Sequence, residues 1–163
     1  MSGTSNEIKN PGLRVLPPGV ERYFVKGGGL SVIEIFAEDK IDIINEEWKQ
    51  ICEIIVFDTN GKPDLSILNL KENANADFSK RVIANDAHIT QIFKKKNLDL
   101  HQATSTLIFH YYCLMVEQIL LSSNASCFVL IAAPWHPLHI HAQTPPPFLL
   151  STSPLPLYLL LTL

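Results

Sequence analysis

The chain lacks most of the features that mark a specialised function class. Its three cysteines, Cys52, Cys113 and Cys127, are odd in number and far apart. A disulfide framework and a zinc-finger spacing are therefore excluded as readings. Met1 to Pro18 is polar and carries Glu7 and Lys9 where a secretory leader would place an apolar stretch, so the expectation is a cytoplasmic compartment with reduced thiols. A net charge of -3 supplies no basic field for a phosphate backbone and argues against nucleic acid as a partner. The second half is poorer still: no Lys or Arg follows Lys96, no Gly follows Gly61, and the last acids are Asp99 and Glu117. Gly27-Gly28-Gly29 has neither the spacing nor the Lys-Ser/Thr of a phosphate loop and reads as a sharp turn.

What is present is apolar, β-branched and short in period. At 163 residues, with 47% hydrophobic residues, the chain has material for one core. Val20 to Lys26 reads as a first strand, and Leu30–Phe36, Lys40–Asn45, Gln50–Asp58 and Leu65–Leu70 as four more. The absence of intervening helices favours an antiparallel meander, with Glu46-Glu47-Trp48-Lys49 as a hairpin loop. Ile51 to Phe57 is nearly continuous in apolar residues, as in a strand buried on both faces. Asp58 to Asp64 contains Asn60-Gly61, a tight-turn signal, and lacks the terminal Glu of a calcium loop.

Helix is expected only between the strand-rich segments. Asp77 is placed to cap a turn through Ser79 to Ile83. Asp86 is placed to cap a helix with Ile89, Ile92 and Phe93 on one face, and Lys94, Lys95 and Lys96 complement its negative end. His88 on that helix reads as solvated. Leu107–Leu121 and Cys127–Ala133, separated by Ser122-Ser123-Asn124, read as two further strands. The longer run holds His110, Glu117 and Gln118, and it falls short of the roughly 20 residues of a membrane span. Seven prolines between Pro134 and Pro156 point to extended or irregular covering structure. The expected organisation is a lead over 1–12, one β-rich domain over 13–147 and an uncharged hydrophobic tail over 148–163. The fold class expected is mainly β, an antiparallel sandwich or barrel-like domain with one or two short helices.

Three stretches carry a family resemblance: NPGLRVLPPGVERYFVKGGG, the segment IDIINEEWKQICEIIVFD with its Glu-x-x-Gln turn, and AAPWHPLHIHAQTPPPF with its Ala-Pro-x-x-Pro. Over Pro11 to Phe148 the chain resembles a urea-carboxylase-associated domain of unknown function, as found N-terminal to aminomethyltransferases of the glycine-cleavage T-protein type. Two positions depart from that family, which favours Gly where Trp48 stands and a small residue where Trp135 stands. The family's downstream Cys/His motifs have no counterpart. The resemblance implies a fragment or accessory domain of a folate-dependent protein of one-carbon or amine metabolism. Tetrahydrofolate would belong to the parent protein, with no cofactor in this chain and no catalysis by it alone. The partner implied is the remainder of a larger enzyme or a second copy in a homo-oligomer.

The candidate metal ligands are His136, His139 and His141. On an extended backbone residues two apart share a face, which would bring His139 and His141 to one ion with His136 as a third ligand. A cupin-like metal enzyme is accordingly one alternative; a small membrane-associated protein anchored by Phe148 to Leu163 is another. Surface histidines in a Pro-rich loop, with no carboxylate in the segment to orient them, are the plainer reading. His110 and Cys113, three apart on a strand, fall on opposite faces. Cys52 reads as a core thiol.

Overall fold

The computed structural model describes residues 18–45, 51–109, 117–134 and 138–143. Among the described residues eight strands form two four-stranded antiparallel sheets that stack as a sandwich, as the mainly-β expectation required. In chain order these are β1 (Val20–Val25), β2 (Gly29–Ile35), β3 (Lys40–Asn45), β4 (Cys52–Asp58), β5 (Thr106–Ile108), β6 (Glu117–Ser122), β7 (Cys127–Ala133) and β8 (Leu138–Gln143). Two helices, α1 (Asp77–Asn85) and α2 (Ala87–Lys95), lie between β4 and β5 in the chain.

The expected meander is not what these strands make. One sheet, here sheet A, has the order β1-β8-β3-β6 and the other, sheet B, the order β2-β7-β4-β5. β1 to β4 thus alternate between the sheets, and β3 and β4 are not a hairpin pair. Each finds its partners late in the sequence: Ile43 lies opposite Ile119 and Ile140, and Ile55 opposite Leu130. Local turn signals reveal where a strand ends; they do not say whether the next strand pairs or crosses to the other layer.

Alternation along the strands explains the layers. Ile41 and Ile43 of β3, Cys52, Ile54 and Val56 of β4, Val129 and Ile131 of β7, and Ile140 of β8 fill the space between the sheets. The intervening residues of β4 and β7, Ile55, Phe57, Leu130 and Ala132, face the other way and pack with Ile83 of α1 and Phe93 of α2. Sheet B is therefore covered on both faces, which is why Cys52 to Phe57 are all buried. Burial of each large side chain here contributes roughly 1.5–3 kcal/mol. The rings of Phe57 and Phe93 meet edge to face at 5.8 Å, an arrangement favoured by their quadrupoles.

Three other sequence expectations change. Leu65–Leu68 is a 3-10 turn and not a strand: the Asp64 carboxylate accepts from the Ser66 N–H, and left-handed Asn69 ends it. The Leu107–Leu121 run is not one strand either, because β5 belongs to sheet B and β6 to sheet A. Most consequentially, the proline-rich segment after Ala133 contains β8, a strand interior to sheet A with β1 on one side and β3 on the other. The described strand, Leu138–Gln143, contains no proline and so lacks no ladder donor.

Both helix ends follow from local chemistry. Asp86 accepts from the N–H groups of His88 and Ile89 and starts α2 as expected. Its end is a Schellman motif: left-handed Asn97 donates to the Lys94 carbonyl and Leu98 to that of Phe93. Gly61, at φ +83, packs directly on this end, where an added Cβ would sit 1.9 Å from the Asn97 carbonyl oxygen.

Candidate functional site

The most deeply placed acidic group lies where none was singled out from sequence. Glu53 on β4 is 3% exposed and projects from the helix-covered side of sheet B. Helix α1 begins after Ala76, whose left-handed backbone and methyl side chain provide no cap. Glu53 supplies it from 26 residues away. Its Oε2 accepts from the Ser79 backbone N–H at 2.8 Å and from the Ser79 hydroxyl at 2.5 Å. The Ser105 hydroxyl donates to Oε1 at 3.2 Å and itself accepts from the Ala76 N–H at 3.0 Å. A carboxylate at a helix N-terminus also meets the positive end of the helix dipole. Ser79 and Ser105 are fully buried, so this trio has the parts of a hydrogen-bonded acid with two hydroxyls but no solvent face. Its chemistry is to hold α1 and the segment leading into β5 against sheet B. The sequence signal was a lone acid inside the apolar run from Ile51 to Phe57.

The histidines proposed as metal ligands fall differently. The backbone of His139 pairs with Phe24 and Ile44, and that of His141 with Arg22 and Asp42; His136 lies outside the described residues. The two are thus at alternate register positions in the interior of sheet A. Asp42, on β3, receives both of its hydrogen bonds from the Gln118 amide of β6, at 2.8 and 2.7 Å. Among the described residues no group of three His, Cys, Asp or Glu side chains is placed to hold a metal. His88 is exposed on α2. His110, Cys113, Trp48 and Trp135 lie outside the described residues.

The two described thiols, Cys52 and Cys127, are core groups. Cys52 is fully buried, and burial, reinforced by neighbouring Glu53, raises its pKa far above the ordinary thiol range. Burial also raises that of Cys127, opposed by a contact with the Ser123 hydroxyl at 3.7 Å. Asp58 is a turn carboxylate whose Oδ1 accepts from the Asn60 and Lys62 N–H groups. These bonds, that from Lys62 foremost, lower its pKa. Of the three lysines, Lys94 and Lys95 occupy the last turn of α2, while Lys96 pairs with Glu34 at 3.3 Å and lies over the Phe128 ring at 4.8 Å.

An open concavity of about 400 Å³ between the β1–β2 turn and the end of α1 is lined by Gly28, Arg81, Val82, Asn85 and Asp86. Its polar groups serve the helices: Asn85 donates to the Arg81 carbonyl and Asp86 caps α2. β7 finishes at this same end, where the Gly28 N–H donates to the Ala133 carbonyl at 2.7 Å.

No family model matches the sequence. Trimethylamine-oxide aldolase from Ruegeria pomeroyi DSS-3 is 27% identical over 140 residues, a span covering 83% of this chain and 18% of that enzyme. The chain therefore spans less than a fifth of the curated relative it matches. A crystal structure of a DUF1989 family protein from Silicibacter pomeroyi DSS-3 superposes with a TM-score of 0.50 at 10% identity, covering 78% of this chain and 80% of that one. The shared feature is the fold. A β-rich domain of unknown function is thus the supported description.

Proposed function

We propose that this chain is a non-catalytic accessory module, with its domain at 13–147, that works as part of a larger amine-handling enzyme. Under this reading it is a urea-carboxylase-associated type of domain whose partner is the rest of an aminomethyltransferase-like protein. Any tetrahydrofolate site lies in that remainder and none in this chain. The observation that carries the reading is the state of Glu53: the most buried acid in the described residues is engaged through both carboxylate oxygens in anchoring α1. The match to trimethylamine-oxide aldolase, which leaves more than four-fifths of that enzyme outside the aligned span, supports it.

The experiment follows trimethylamine-oxide by its NMR methyl signal in two arms. The purified chain alone should leave the signal unchanged. The Ruegeria enzyme with its matching span replaced by this chain should retain turnover. Consumption of substrate by the chain alone, or a folded but inactive replacement, would overturn the proposal.

A second reading places a metal at His136, His139 and His141, and rests on the alternate positions of His139 and His141 in the interior of sheet A. Elemental analysis of the purified chain and of a His139→Ala, His141→Ala double variant separates the two. A stoichiometric ion lost in the double variant would favour the enzyme reading; equal, substoichiometric metal in both removes it. For the membrane alternative, no helix among the described residues is long and apolar enough to cross a bilayer.

A further inference from the structure

The geometry points to β6 as the strand through which two copies of this chain associate, extending sheet A across a two-fold axis into one continuous eight-stranded sheet. This goes beyond the accessory-module reading, which names no surface. Among the described residues β6 is an edge strand, hydrogen-bonded to β3 alone. Among the described residues, no backbone group of Gln118 to Ser122 has a partner on the side away from β3. An open edge is a template for another strand unless charge, proline or a covering group blocks it.

Other edges are blunted. On β5, the Asn73 side-chain amide accepts from the Leu107 N–H at 2.7 Å and donates to the Leu107 carbonyl at 3.1 Å, taking the place of a further strand. β2 carries the Glu34–Lys96 ion pair, and β1 carries Glu21 and Arg22 in succession. From Gln118 to Ser122, β6 has no charge, and it presents Leu120 at 60% exposure, the most exposed large apolar side chain described.

A second copy is the occupant because the strand is complementary to itself. Residues directly opposite in an antiparallel pair share one face of the sheet. A two-fold axis at Leu120 sets Leu120 against its own copy on the outer face, Gln118 against Ser122, and Ile119 against Leu121 on the inner face, which continues the core layer. No like charges are opposed. Centring on Ile119 would set Glu117 opposite the buried Leu121, and centring on Leu121 would leave Leu120 opposite Ser122. Asp42, the carboxylate beside the axis, is already satisfied by Gln118, while Glu117, whose Oε2 is buried without a hydrogen-bond partner among the described residues, lies three residues from it.

Because residue 120 faces itself only in this register, a charge exchange tests it. Sedimentation velocity on the full chain over a concentration series should show a reversible monomer–dimer equilibrium. Leu120→Lys and Leu120→Glu, each at an exposed site, should weaken it at least about tenfold, and an equimolar mixture should recover the affinity to within about threefold of the unaltered chain. Circular dichroism melts of both variants check that they remain folded. Phe24→Lys, on the opposite edge strand, should leave the dimer intact. A chain that is monomeric throughout, a dimer indifferent to both variants, a mixture that stays monomeric, or a dimer lost in Phe24→Lys, which would indicate stacking of sheet faces, each overturns the proposal.

Discussion

The two sheets are built from similar Ile- and Val-rich strands, yet they live in different surroundings. Sheet B has the sandwich core on one face and α1 and α2 on the other; sheet A has the core on one face and, among the described residues, no helix on the other. β4 accordingly buries six successive residues, whereas β6 alternates and leaves Gln118 and Leu120 exposed. The doubly covered sheet is also where a charged side chain is buried, and there it acts as the cap the helix lacks. The contrast shows what the helix layer requires: an apolar second face on β4 and β7, and one acid to satisfy the start of α1.

That contrast can be broken in order of effect. Phe57→Ala removes the ring that joins β4 to Phe93 and should cost about 3–5 kcal/mol in denaturant unfolding. Gly61→Ala drives a methyl into the Asn97 carbonyl at a left-handed φ and should cost about 3 kcal/mol by the same measurement. A weaker perturbation, Asp86→Ala, removes the α2 cap and should cost about 1 kcal/mol. Smallest is Asp58. Its folded pKa is lowered, so its contribution is complete above the unfolded carboxylate value of about 3.9 and is lost as pH falls through the folded value. The difference in melting temperature between the unaltered chain and Asp58→Asn should therefore shrink as the solution is acidified below that point.

How much of this was legible depends on sequence distance. β3, β4 and β7 announce themselves through local alternation or continuous apolar character, and Asp86 through the cap position before Ile89 and Phe93. The pairing was not legible, because β3 meets partners that arrive only after Glu117 and Leu138. β8 was hidden by the prolines on either side of it in the sequence, which read as loop. The Glu53 cluster was hidden for the same reason of distance: Ser79 and Ser105 lie 26 and 52 residues along the chain. A single acid in an apolar strand was the one visible sign. The histidines drew attention by spacing alone, and spacing does not assign a ligand set.

Hydrogen exchange in Glu53→Ala, followed amide by amide, puts the structural role of Glu53 to the most direct test. Removing the carboxylate leaves the Ser79 N–H and two buried hydroxyls without their acceptor, a loss of about 2–3 kcal/mol, equivalent to roughly 30- to 150-fold faster exchange. The account predicts that acceleration throughout α1, with β3 and β8 of sheet A exchanging as before. An α1 that exchanges unchanged, or a loss of protection shared equally by both sheets, would contradict it.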